Sequence, residues 1–201
     1  MTEQKLVIPG VTDPARVACI ARARKYSQYV TYVNDALAGK CTICSLDSNR
    51  NPNPERRGFI EIPGVTLWRI WHCNPPEKFT RLHFLMSPVR HITDSRDLDA
   101  DEWDQLKSIW NSLPAMFNFN FRGILIRDGD ATQSAGTIQH LHIHMMVPDG
   151  TGRVESPFCK TPEEEAAGVA RAIIFEKLRT TGMNPSALPP EEFELVKDRL
   201  I

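Results

Sequence analysis

The spacing of apolar and polar positions changes several times along the chain, and each change marks an element. Residues 13–38 read as one helix, with Asp13 as N-cap, Pro14 suited to the first turn and Gly39 suited to the stop. A Pro- and Asn-rich loop follows over 51–58. Three strands are expected at 59–62, 65–73 and 81–87, with Pro75-Pro76 turning the chain between the last two. Asp99 and Glu102 form a capping-box pattern for a helix over 100–113, which Pro114 should end or kink. Trp103, Leu106, Trp110 and Leu113 fall at helical spacing on it and are expected in the core. Residues 124–127 read as a further strand. Thr161-Pro162-Glu163-Glu164 opens a long helix that Gly182 closes, and a short helical stretch is expected over 191–200.

The sharpest alternation lies at 139–147, where His140, His142 and His144 are separated by Leu141 and Ile143. A strand turns successive side chains to opposite faces, so this one should pack an apolar face on a core and carry three imidazoles on the other. Strands grouped around one central helix, with helices at either end, make an α+β fold with an antiparallel sheet.

Composition narrows the picture. With 201 residues, 41% of them hydrophobic, the chain can form one large domain or a sizeable core with extensions. Lys and Arg (24) nearly balance Asp and Glu (25), so bulk nucleic-acid binding is not indicated. Residues 22–25, Arg-Ala-Arg-Lys, are expected to be a solvated basic face. No apolar run reaches membrane-spanning length and the first residues lack a signal-peptide pattern, so a cytoplasmic protein is expected. Five cysteines, an odd count, argue against a disulfide framework. Cys41 and Cys44 alone are spaced for chemistry: a zinc site needing two more ligands, a redox pair needing a βαβ context, or two core cysteines.

All six histidines lie between positions 72 and 144. Three on one strand face suit either metal ligation or phosphate chemistry with one imidazole as nucleophile. The loop from Asp128 to Thr137, with Gly136 freeing backbone N–H groups and hydroxyls at Ser134 and Thr137, suits phosphate oxygens.

His140-Leu141-His142-Ile143-His144-Met145-Met146 resembles the motif of the histidine-triad family, and the stretch from Leu82 to His91, with His83, Pro88 and Arg90-His91, resembles that family's preceding strand. The resemblance covers roughly residues 41–150. It implies a histidine-triad-like fold at 41–150, a helical extension at 1–40 and another at 151–201. It also implies attack on the α-phosphorus of a nucleotide derivative, a nucleotidyl-histidine intermediate and transfer of the nucleotidyl group to water. The derivative would be a dinucleoside polyphosphate or a nucleoside phosphoramidate. Transfer to phosphate or a sugar phosphate is the alternative, and a non-catalytic, zinc-stabilised nucleotide-binding module is the rival from another class.

By position, the resemblance makes His142 the nucleophile, the backbone carbonyl of His140 its partner, and His144 the group at the phosphate or leaving-group oxygens. A third histidine, rather than glutamine, points to a hydrolase or phosphorylase over a sugar transferase. Asn74, His83, Asp128, Gln133, Ser134, Gly136 and Thr137 would contact substrate. Cys41, Cys44, His91 and His140 would hold a structural zinc, with His83 as the alternative to His91. A homodimer is implied as well.

Overall fold

A computed structural model describes residues 5–46, 54–133 and 136–200. The predicted loop positions 51–53, and Ser134 of the predicted phosphate loop, lie outside the described residues. The chain divides into two compact units, Ile43–Asp130 with His140–Pro157, and Met1–Thr42 with Ala131–Gln139 and Phe158–Ile201.

The first of these is α+β, with a four-stranded antiparallel sheet. Strands β1 (Trp68–His72), β2 (Thr80–Pro88), β3 (Gly123–Arg127) and β4 (His142–Pro148) are ordered β1-β2-β4-β3. Period-2 alternation explains the layering. Trp68, Ile70, Phe84, Met86, Ile143, Met145 and Val147 are buried in one cluster with Leu106, Ile109 and Leu113 of helix α3 (Ala100–Phe117). The other face carries His83, His142 and His144. Fully burying each of these large aliphatic side chains is worth about 1.5–3 kcal/mol, so the α3–sheet contact dominates the stability of this unit.

Three predicted features differ. Residues 59–62 form no strand. Ile60 gives one ladder-like bond to Ile70 O (2.7 Å), and then Val65 N closes a turn on Ile62 O around Pro63 and Gly64, whose φ is 80°. That turn delays β1 to Trp68 rather than 65. Helix α3 continues through Pro114 to Phe117, where Asn118 stops it in the left-handed conformation. Proline inside a helix costs roughly 3 kcal/mol. Packing of Phe117 edge-on to His72 (5.7 Å) and against Phe84 (4.9 Å) offsets part of that cost.

The buried stripe of α3 is also rotated from the expected one. It runs Glu102, Leu106, Ile109, Leu113, and Trp103 is 43% exposed. The rotation follows from Glu102. Its carboxylate completes the capping box with Asp99 and takes a two-bond clamp from Arg90 (2.7 and 2.7 Å), so this charge can be buried where a Trp was expected.

The other unit is helical: α1 (Pro14–Ala21), α2 (Tyr26–Leu37), α4 (Pro162–Thr181) and α5 (Pro190–Val196) share a core of Ile20, Tyr29, Val33, Phe175, Leu178 and Val196. Asp13, Thr161 and Gly182 cap as expected. The single helix expected over 13–38 is two, broken at 22–25. Arg22 is the C-cap residue at the break, and it is not a solvated basic residue: it is only 6% exposed. Its guanidinium donates to the carbonyls of Ala131, Thr132 (2.9 Å) and Gly136 (2.9 Å) and pairs with Glu165 (2.8 Å). Among the described residues no helix is long and apolar enough to cross a membrane.

His72 gives a test of the sheet–helix core. It is 9% exposed against Phe84 and Phe117, and burial lowers its pKa below the usual value. A base with a depressed folded pKa contributes fully above its unfolded pKa, about 6.5, and loses that contribution as pH falls through this range towards the folded value. Denaturant unfolding at pH 7.5 and pH 5 should therefore show a smaller loss of stability for His72→Phe than for the wild type. Equal losses would remove His72 as a titrating core group.

Candidate active site and metal cluster

His140 precedes the ladder, because β4 begins at His142 and not at the predicted 139. The Leu141 N–H instead donates to Ile92 O (2.7 Å), which lays the His140 segment beside His91 and Ile92. The carbonyl of His140 is thereby turned to the ring of His142, whose Nδ1–H donates to it at 2.7 Å. This bond fixes the tautomer: Nδ1 carries the proton and Nε2 keeps its lone pair. Burial holds His142 well below its usual pKa, at about 4, with Arg127 adding to the effect, so the ring is neutral near pH 7. A buried, neutral imidazole with one nitrogen anchored and the other bearing a lone pair is equipped as a nucleophile.

The third histidine is fixed in the opposite sense. The backbone N–H of Glu77 donates to Nδ1 of His83 (3.0 Å), so His83 carries its proton on Nε2. That Nε2–H faces Nδ1 of His144 at 2.9 Å and must donate to it. Nδ1 of His144 is then the acceptor, which leaves the proton of that ring on Nε2. His142 offers a lone pair and its neighbour, with rings 5.3 Å apart, offers an N–H. His83, expected among the substrate contacts, is hydrogen-bonded to His144.

The predicted metal ligands come together. Single donor atoms of Cys41, Cys44, His91 and His140 lie within 4.8 Å of one another. Cys44 Sγ is 3.5 Å from Nδ1 of His91 and 3.5 Å from Nδ1 of His140. Tetrahedral zinc with bonds of about 2.3 Å to sulfur and about 2.05 Å to nitrogen has S···N edges of about 3.5 Å, so the observed spacing fits the ion. Two thiolate and two imidazole donors suit zinc chemically.

The outer contacts agree. His140 directs Nε2–H to Pro88 O (3.2 Å), leaving Nδ1 to ligate, and burial keeps the ring neutral with a pKa lowered to about 4. Arg69 donates to the carbonyls of Ile43 (3.1 Å) and Cys44 (3.3 Å), holding the cysteine turn. Arg90, clamped on Glu102, fixes the backbone that presents His91. His83 is engaged with His144, and the cluster contains His91.

The predicted substrate contacts are placed as follows. Asn74 is exposed on the loop that joins β1 to β2, between Cys73, whose N–H bonds His83 O, and Glu77. Asp128 accepts from the N–H of Ser95 (2.7 Å) and from its hydroxyl, bracing the end of β3. Gln133 is exposed, and Gly136 is buried with its carbonyl on Arg22. Thr137 is half-buried.

Two arginines escaped sequence reasoning. Arg22 binds the carbonyls of Ala131, Thr132 and Gly136, and no local pattern announces it, since its partners are over 100 residues away. Arg127 pairs with His142 across β3–β4. A count of register from the histidines would have found it.

No family model matches the chain, and no curated protein does. Solved structures resemble it in part. A Zn-bound histidine triad family protein from Mycobacterium smegmatis is 20% identical, covers 73% of this chain and 99% of its own, and has a TM-score of 0.42. A Plasmodium falciparum diadenosine triphosphate hydrolase, crystallised with cyclomarin A, is 18% identical over 70% and 94%, with a TM-score of 0.34. A hypothetical histidine triad nucleotide-binding protein from Sulfolobus tokodaii is 18% identical over 69% and 94%, at 0.39. At these TM-scores the chemistry has to be read from the side chains of this chain.

The metal cluster predicts about one zinc per chain on elemental analysis, by the four-ligand rule. Cys44→Ser should lose the metal and lower the melting temperature together, because metal binding is coupled to folding. Full stability after exhaustive chelation would contradict a structural metal.

Proposed function

We propose that this chain is a histidine-triad nucleotidyl hydrolase that cleaves a phosphoanhydride at the α-phosphorus of a nucleotide derivative. The carrying observation is the fixed pair of tautomers: a lone pair on His142 Nε2 beside a proton on His144 Nε2. In this reading the His142 lone pair forms a P–N bond while the P–O bond to the leaving phosphate breaks, its electron pair departing with that oxygen. Water then attacks phosphorus, the P–N pair returns to His142, and the water's proton leaves with the nucleotide or to solvent. The metal cluster would supply rigidity: bound zinc fixes His140, and the carbonyl of His140 fixes His142.

The proton inventory supports an anhydride over a phosphoramidate. A leaving phosphate departs as an anion and needs only a hydrogen bond from His144 Nε2–H. A leaving amine needs a proton. If His144 gave one up, His83 could replace it only by becoming an imidazolate, since its Nδ1 faces the Glu77 N–H. Homodimer assembly is part of the proposal on the family resemblance, and a cytoplasmic setting on the sequence pattern.

Steady-state assays with a diadenosine polyphosphate and an adenosine phosphoramidate, with wild type and His142→Ala, test this. The anhydride should be favoured at least about tenfold in kcat/KM. His142→Ala should lose about 10³-fold or more in kcat while binding nucleotide, as expected for removal of a covalent route. Turnover of His142→Ala near the wild-type rate would sink the proposal.

A further inference from the structure

We infer that Arg127 takes the non-bridging oxygens of the phosphoryl group attacked by His142, and so makes the site selective for an anionic phosphorus centre. The inference rests on the proposed function and assigns a specificity-determining residue to it.

The register of the sheet carries the argument. β3 pairs with β4 so that Arg127 is opposite His142 and Leu125 is opposite His144. Directly opposed residues of an antiparallel pair project from the same face, with Cβ atoms roughly 4.5–5.5 Å apart. The guanidinium and the nucleophile therefore rise from adjacent points of one surface.

The arginine is also aimed. Its Nη1 donates to Pro157 O at 2.8 Å and its Nη2 to Ser156 Oγ at 3.3 Å, which restricts a side chain that otherwise has many rotamers.

The charge balance of the face gives this cation a task. Attack on the phosphorus pushes negative charge onto its non-bridging oxygens. The His142 and His144 rings are both engaged through Nδ1, with the His140 carbonyl and with His83. Arg69, on β1 opposite Ser87, is drawn to the carbonyls of Ile43 and Cys44 at the metal cluster. Arg127 is a cation that neighbours His142 in the strand register, and a planar fork matches two phosphoryl oxygens.

The gradient along β3 has the same sense. The position beside the nucleophile is charged, and the position beside the leaving-group histidine is Leu125, 6% exposed. Arg127 is therefore placed for the attacked phosphorus and not for distal phosphates of a polyphosphate.

The test is steady-state hydrolysis of a diadenosine polyphosphate by the full chain and by Arg127→Lys, Arg127→Gln and Arg127→Ala, the last with and without added guanidinium chloride at low concentration. Thermal melting is followed for each. Loss of a preorganised charge at the transition state predicts a fall in kcat of about 10²–10³-fold for Gln and Ala, and a smaller one for Lys. KM should move only a few-fold, melting should be retained, and guanidinium should restore at least about tenfold of the rate of Arg127→Ala.

A purely structural clamp on Ser156 and Pro157 predicts the reverse: lowered melting, kcat within about threefold of wild type for the folded fraction, and no rescue. That result overturns the inference while leaving the hydrolase reading intact. If Arg127→Ala does not fold, the Lys and Gln variants decide by the same split of kcat from KM. A wild-type protein with no turnover of any nucleotide anhydride overturns both.

Discussion

The hydrogen bond from His142 Nδ1 to the carbonyl of His140, 2.7 Å long, sets the terms for the rest of the site. A free imidazole distributes its proton between two nitrogens and spins about its side-chain bonds. Here one acceptor settles both matters. The bond needs a carbonyl that faces a side chain, and a carbonyl inside a regular ladder faces the next strand. The ladder begins at His142, which leaves the His140 carbonyl for the ring. The late start of β4 therefore frees this acceptor, since two more residues of regular sheet would have taken it away.

What holds His140 in that irregular place is a set of long-range contacts. Its ring sits against Cys44 and His91 and gives its remaining N–H to Pro88 O. Leu141 is pinned to Ile92. The Arg90–Glu102 clamp, with the Glu102 carboxylate 2% exposed, ties the His91 segment to the first turn of α3. Arg90 is half-exposed, but its two-bond fork on the buried carboxylate fixes the geometry of the pair. Helix, cysteine–histidine cluster and His142 form one chain of contacts: Glu102 of α3 holds Arg90, Arg90 precedes His91, His91 and Cys44 lie against His140, and the His140 carbonyl holds His142.

Local signals were legible where the physics is local. The caps at Asp13, Asp99 and Thr161, the stop at Gly182, and the alternation that buries Leu141, Ile143 and Met145 beneath the histidines were all visible in the sequence. The four metal ligands were legible through the family resemblance, and the structure brings them together. What the sequence hid depends on distant partners. The break at 22–25 needs Arg22 to find Ala131, Thr132 and Gly136. The rotated stripe of α3 needs Arg90 to neutralise Glu102, without which Trp103 is the better guess for the core. The role of His83 needs the turn that brings the Glu77 N–H onto its ring. Arg127 lay one residue before the loop that drew attention, and only strand register places it beside His142.

The account stands on His142 being the atom-level nucleophile that these supports exist to hold. Rapid acid- or base-quench of the wild-type protein with a diadenosine polyphosphate, followed by proteolysis and peptide mass spectrometry, measures this directly. The expected result is a nucleotidyl mass on the peptide containing positions 140–144, fragmenting to His142, that forms within the first turnover and disappears as substrate is consumed. Turnover without any adduct on this peptide, or an adduct mapped to His140 or His144, would contradict it.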